Sequence, residues 1–325
     1  MNLHLDKEVF KNAVKVTAQR YGIPEIYIEK DYWVTYALFQ IFHSRIAADT
    51  VFKGGTALAK CHKLIPRFSE DIDLVVLRNE GESDNQLKKK LKTITETVNS
   101  LLPEIEMQGV TNKMGMIRKT AHQYPKEELE GFFGQVKEFI IIEASWLGSH
   151  EPYIIEDVSF YIGDMMKAVG QEELIEKYNL QPFKVKVLSK ERTLCEKVMS
   201  LVRFSHTDKP YVDLTKKIRH IYDIHLMLQK DEVKSFLNSA NFDLMLNIVG
   251  KDDLLSFKNN NDWLSKHPKE AIMFSDIETT WNNINSTYNN TFKGMVLGDL
   301  PGEKELIKTL ELVSNALNKV DWELQ

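Results

Sequence analysis

Apolar residues recur at helical spacing over residues 6–21, where Val9, Phe10, Ala13, Val14 and Thr17 share one face. Gly22 supplies a stop, and Pro24 a first-turn residue for a second helix over 24–42. That helix carries Glu29-Lys30-Asp31-Tyr32-Trp33, which the pattern reads as a solvated charged face beside a core tryptophan. Beyond it the period shortens. Val51 and Phe52 form a short strand, Gly54-Gly55 turns the chain into a helix over 56–63, and Pro66 ends it. Residues 72–77 alternate as a strand that puts Ile72 and Leu74 on one side and Asp71 and Asp73 on the other. A polar loop over 79–85 leads to a helix over 86–101, whose Lys88, Lys89, Lys90 and Lys92 make a basic patch. Further strands are expected at 105–110, 116–122, 136–146 and 183–188, the third marked by the apolar run 139–142. Residues 153–180 carry no clear period.

After residue 188 the signals turn helical. Ser189 is an N-cap for a helix whose apolar face holds Leu194, Val198, Leu201 and Val202. One helix is expected over 213–229, with Arg219 and Asp223 four apart and able to pair. The polar segment 282–290 reads as loop or helix end, and 303–320 as a closing amphipathic helix. The fold class is therefore α+β: a mixed-sheet domain over 1–188, then a mostly helical domain over 189–325.

Composition narrows the function without naming it. With 325 residues, 43% hydrophobic and 27% charged, the chain has the balance of a globular protein. A net charge of -5 gives no global basic signature, so any nucleic-acid contact rests on a local patch. Cys61 and Cys195 stand far apart in no metal-binding spacing, which fits a reducing cytosol. The first residues have no signal-peptide core and the apolar runs are too short to span a bilayer, so a cytoplasmic protein without membrane partners is expected.

The chemistry concentrates between residues 53 and 77. Two carboxylates as close as Asp71 and Asp73 stay ionised together only with a cation between them, and magnesium takes carboxylate oxygens, water and substrate phosphates. Upstream, Gly54-Gly55-Thr56 offers backbone amides and a hydroxyl to an anion, with Lys53 and Lys60 adding positive charge. No G-x-x-x-x-G-K-S/T or G-x-G-x-x-G occurs, which argues against a P-loop or a dinucleotide fold. Glu143 closes the apolar run at 139–142, either as a third acid of the cluster or as a strand end held by a salt bridge. Together these features point to a nucleoside triphosphate.

The stretch from Phe52 through Leu58, followed by Arg67-Phe68-Ser69-Glu70-Asp71-Ile72-Asp73-Leu74, resembles the AbiEii/AbiGii family of nucleotidyltransferase toxins, of the DNA polymerase β-like superfamily. Glu29 to Trp33 resembles the family's upstream helix. Lys186-Val187-Leu188 with Glu191, Glu196 and Lys197 resembles its second motif, and Arg219 to Asp223 its third. The region around Tyr288 and Gly298 has the family's look. The resemblance implies magnesium on Asp71 and Asp73, and a triphosphate against Gly54, Gly55 and Thr56 with Ser69 close by. It further implies Lys197 on phosphate oxygens, Asp223 positioning Lys197 or the nucleotide, and Glu143 as the third acid, with the helical domain forming the second wall of the site. A nucleotide would pass from an NTP to an acceptor hydroxyl, the tRNA 3′ end, in a toxin–antitoxin or abortive-infection phage-defence system with a cognate antitoxin. Transfer to a protein hydroxyl, a non-catalytic nucleotidyltransferase-like module, and a metal-dependent hydrolase are the rival readings.

Overall fold

The computed structural model describes residues 1–127, 129, 137–148, 151–257 and 259–324. It divides into two compact units. The first comprises Met1–His62, Phe68–Trp146 and Tyr153–Val187, and the second Lys63–Arg67, Leu147–Pro152 and Leu188–Gln325. The division is discontinuous along the chain, whereas the sequence pattern suggests a single boundary near Ser189.

The first unit opens with two helices, α1 (Lys7–Tyr21) and α2 (Glu25–Phe42). Asp6 caps α1 by accepting from the Val9 amide, and Gly22 ends it in the left-handed conformation. Then come β1 (Thr50–Lys53), α3 (Gly54–Lys60), β2 (Ile72–Val76), α4 (Asp84–Asn99), β3 (Glu104–Ile105), β4 (Ile117–His122), β5 (Ile140–Ser145), β6 (Tyr153–Val158), α5 (Tyr161–Ala168), α6 (Glu172–Lys177) and β7 (Phe183–Leu188). All seven strands join one mixed sheet in the order β3-β4-β5-β2-β1-β7-β6. β2 sits at its centre, antiparallel to β1 and parallel to β5. Its Ile72, Leu74, Val75 and Val76 are buried with Phe52, Ile140, Ile142, Val185 and Val187, while α2 and α4 contribute Leu38, Leu87, Leu91 and Ile94 to the core.

Three sequence expectations change in this unit. The strand expected at 105–110 shrinks to Glu104–Ile105, because residues 107–111 fold into turns closed by Val110 and Thr111 amides on the Met107 carbonyl. The strand expected at 136–146 is seen as Ile140–Ser145, and Val136 lies outside the described residues. The charged run of α2 is not solvated: Glu29, Lys30 and Asp31 are buried along with Tyr32 and Trp33, each charge having found a partner of its own.

The second unit is helical: α7 (Lys190–Ser205), α8 (Pro210–Thr215), α9 (Ile218–Met227), α10 (Asp231–Leu237), α11 (Ala240–Ser256), α12 (Ile272–Ser275), α13 (Ile277–Thr287) and α14 (Glu303–Leu317). Ser189 caps α7 by accepting from the Arg192 amide at 3.2 Å. The helix expected over 213–229 is instead two, α8 and α9, parted at Lys216 and Lys217. The polar segment 282–290 is mostly helical, because Trp281, Ile284 and Tyr288 bury one face of it. A bridge from Arg67 to Val296, with the Leu297 amide on the Pro66 carbonyl at 2.8 Å, ties Lys63–Arg67 into this unit.

Candidate active site

The register of the sheet builds a charged row on one face. Lys53 of β1 stands opposite Asp73 of β2, Asp73 opposite Glu143 of β5, and Glu143 opposite Lys119 of β4. Two acids at the centre are thus flanked by two lysines. Asp71 precedes Asp73 by two residues, and its Oδ1 is buried without a hydrogen-bond partner, the nearest cation being Lys137 Nζ at 3.8 Å. Burial, then the charges of Glu143 and Asp71, push the Asp73 carboxyl up to about 7, with Lys53 and Lys119 pulling it back. Glu143 lies opposite Asp73 in the register, and its carboxylate is held by a salt bridge to Lys119 at 2.7 Å. Among the described residues no group of three or more His, Cys, Asp or Glu is arranged to hold a metal. The protein thus offers two carboxylates, one with an orphaned oxygen and one resisting ionisation. That donor set fits a hard divalent cation whose remaining positions go to water and substrate phosphate.

The turn before α3 is shaped around Asp73. Gly54 adopts φ +80°, and a Cβ there would lie 2.1 Å from Asp73 Oδ2. Glycine is required twice, by the left-handed backbone and by the carboxylate packed against it. Thr56 is buried; its hydroxyl donates to the Asp71 carbonyl at 2.5 Å and meets Ser69 Oγ at 2.9 Å. Both hydroxyls are therefore engaged in fixing the segment that delivers Asp71. Lys60 is buried too. Its ammonium pairs with Asp31 and donates to the Ser159 carbonyl at 3.2 Å, which corrects its reading as charge beside the glycine turn.

The second and third motifs meet within the second unit. Asp223 of α9 is fully buried and takes Lys197 Nζ of α7 on Oδ2 at 2.7 Å. Its other partner is Arg67, whose Nε and Nη2 donate to Oδ1 and Oδ2 at 2.7 and 2.8 Å in a bidentate pair. Burial alone would raise the Asp223 carboxyl, but these two cations hold it well below the usual carboxylate range. The Arg219–Asp223 pair suggested by helical spacing does not form, because Asp223 faces inward to Arg67 and Lys197. His220 Nδ1 lies 3.4 Å from Lys197 Nζ, and burial followed by the neighbouring lysines keeps the ring neutral, able to accept from the ammonium. Of the basic run on α4, Lys90 pairs with Glu82 and Asp49, Lys92 pairs with Glu96, and Lys88 and Lys89 are exposed.

Sequence reasoning missed Lys119 and the role of Arg67. Nothing local marks either: Lys119 is defined only by strand pairing, and Arg67 by a partner 156 residues away.

Among solved structures, the chain is similar to MenT4, a nucleotidyltransferase toxin from Mycobacterium tuberculosis H37Rv. The two are 13% identical over 92% of this chain and 98% of that one, with a TM-score of 0.44. No curated protein sequence matches the chain. The family model of the nucleotidyl transferase AbiEii toxins of type IV toxin–antitoxin systems matches residues 36–301. That span holds Asp71, Asp73, Glu143, Lys197 and Asp223, and the chain belongs to the AbiEii family of nucleotidyltransferase toxins.

Proposed function

We propose that this nucleotidyltransferase moves a nucleotide from an NTP to the 3′ hydroxyl of a tRNA, with magnesium held by Asp71 and Asp73. The observation that carries the metal assignment is the adjacent acid pair, with the orphaned Asp71 Oδ1 and the reluctantly ionised Asp73. When bound there, a divalent cation neutralises phosphate charge and supports displacement at the α-phosphate. Lys53 and the Gly54-Gly55 turn line the triphosphate path, and Thr56 and Ser69 hold Asp71 in place behind it. Glu143 draws the proton from the attacking hydroxyl once Lys119 shares its charge with the incoming phosphate. Lys197, oriented by Asp223, is assigned to the phosphate oxygens that leave as pyrophosphate. That last assignment is supported by family membership and by the three donors of the lysine ammonium, of which Asp223 engages one and His220 a second.

Family membership brings an NTP substrate and a cognate antitoxin. Exposed Lys88 and Lys89 are proposed to meet RNA phosphates. No helix among the described residues is long and apolar enough to cross a membrane, and a cytoplasmic site of action fits the proposed tRNA acceptor. The test is incubation with each labelled NTP, total RNA and total protein under varied magnesium. Label in RNA of tRNA size, lost on chelation, supports the reading; label confined to protein overturns the tRNA acceptor.

A further inference from the structure

Three consecutive charges of α2 are buried, and each ties a different segment of the first unit. Glu29 accepts from the Glu127 amide at 2.8 Å. Asp31 pairs with Lys60 and accepts from the Tyr161 amide at 3.2 Å. Lys30, fully buried, reaches the segments that lead into both strands that carry the acids. Its ammonium pairs with Glu70, the residue before Asp71, and donates to the carbonyls of Lys137 and Phe139, the latter at 2.9 Å. Glu70 in turn accepts from the Lys137 amide at 3.1 Å.

These contacts converge on one end of the sheet. β2 and β5 run parallel, with Ile72 opposite Ile142 and Asp73 opposite Glu143, so both strands begin at the same end. Lys30 sits there and links what precedes β2 to what precedes β5. All three of its N–H donors are used. A buried ion pair is seldom worth more to stability than an apolar pair of the same size. No apolar side chain, however, would supply donors to two carbonyls lying ahead of the paired residues of β5.

We propose that Lys30 is a positioning residue of the metal site, fixing through Glu70 and the Lys137 and Phe139 carbonyls the spacing of the strands that present Asp71, Asp73 and Glu143. This rests on the reading that Asp71 and Asp73 hold a divalent cation.

The test is Mn2+ alone, titrated into the full chain and followed by the EPR signal of free Mn2+, with thermal unfolding recorded for each variant. Glu70→Gln keeps the size and a hydrogen-bond acceptor while removing the charge; Lys30→Met removes the donors. The expected result is about tenfold weaker Mn2+ binding in folded Glu70→Gln and Lys30→Met, the scale for partners standing behind metal ligands. Should Lys30→Met not fold, Glu70→Gln decides alone. A variant that melts earlier yet binds Mn2+ like the parent makes the contact purely structural and overturns the proposal. The control is Asp73→Asn: if it binds Mn2+ unchanged, the metal reading falls and the positioning role with it. If it loses binding while Glu70→Gln does not, only the positioning role falls.

Discussion

Replacing Asp73 with asparagine should stabilise the metal-free protein while abolishing transfer, and the gain should grow with pH. The Asp73 carboxyl titrates near 3.8 when unfolded and is pushed up to about 7 in the fold, by burial first and then by Glu143 and Asp71. Below pH 4 both states carry the proton and ionisation costs nothing. Between pH 4 and 7 the unfolded chain ionises while the folded one keeps its proton, so stability falls as pH rises, and above 7 the full cost is present. At about 1.4 kcal/mol per pH unit, that cost has a ceiling on the order of 4 kcal/mol above pH 7 and about 1.6 kcal/mol at pH 5. Asp73 is only part-buried by surface area, and solvent screening brings the expected gain at pH 8 to roughly 1–3 kcal/mol. The assay is thermal and urea unfolding of parent and Asp73→Asn in chelator at pH 5 and pH 8. The gain should be larger at pH 8 and should shrink when excess magnesium is added, since the cation relieves only the parent. A variant less stable than the parent at pH 8, or a gain independent of pH, would refute the reasoning.

Gly54→Ala should cut transfer on the order of a hundredfold, because the new Cβ displaces Asp73 Oδ2; steady-state kinetics with varied metal checks this. Asp223→Ala leaves Arg67 and Lys197 buried with their shared anion removed and should cost about 3–5 kcal/mol, read by chemical unfolding. Because the folded Asp223 carboxyl lies below its ordinary 3.8, its contribution is present above pH 4 and lost as pH falls below that, so parent and variant should converge in stability in strong acid. Lys119→Met removes a charge that favours ionised Asp73, so the acid limb of the pH–rate profile should move to higher pH. Thr56→Val should lose about 1–2 kcal/mol through the unmet Asp71 carbonyl, with transfer reduced but not abolished, measured by unfolding and by initial rates.

What the sequence made legible was local. Alternation over 72–77 put Asp71 and Asp73 on one face of a strand, and the structure places that strand, Ile72–Val76, at the sheet's centre. Ser189, Gly22 and the apolar stripes of α1 and α7 marked helices because caps and periodicity act within a turn or two. The failures share a cause, in that charge alone does not reveal exposure. Glu29, Lys30 and Asp31 read as solvated and Lys60 as charge beside the glycine turn, yet each is buried against a partner distant in sequence. Asp223 likewise has a plausible neighbour in Arg219 but binds Arg67. The break between α8 and α9 was hidden because the apolar spacing of Ile218, Ile221 and Ile224 reads as one continuous period. In the acid row, Glu143 was visible as a carboxylate in an apolar strand, but its neighbours Asp73 and Lys119 follow from register, which no single segment contains.

The most direct measurement of the central claim is release of pyrophosphate and incorporation of labelled nucleotide into RNA by the parent, Asp71→Asn and Asp73→Asn, with magnesium and with chelator. The expected result is transfer by the parent with metal only, and none by either variant although both remain folded. Transfer by folded Asp73→Asn at the parent's rate would contradict it.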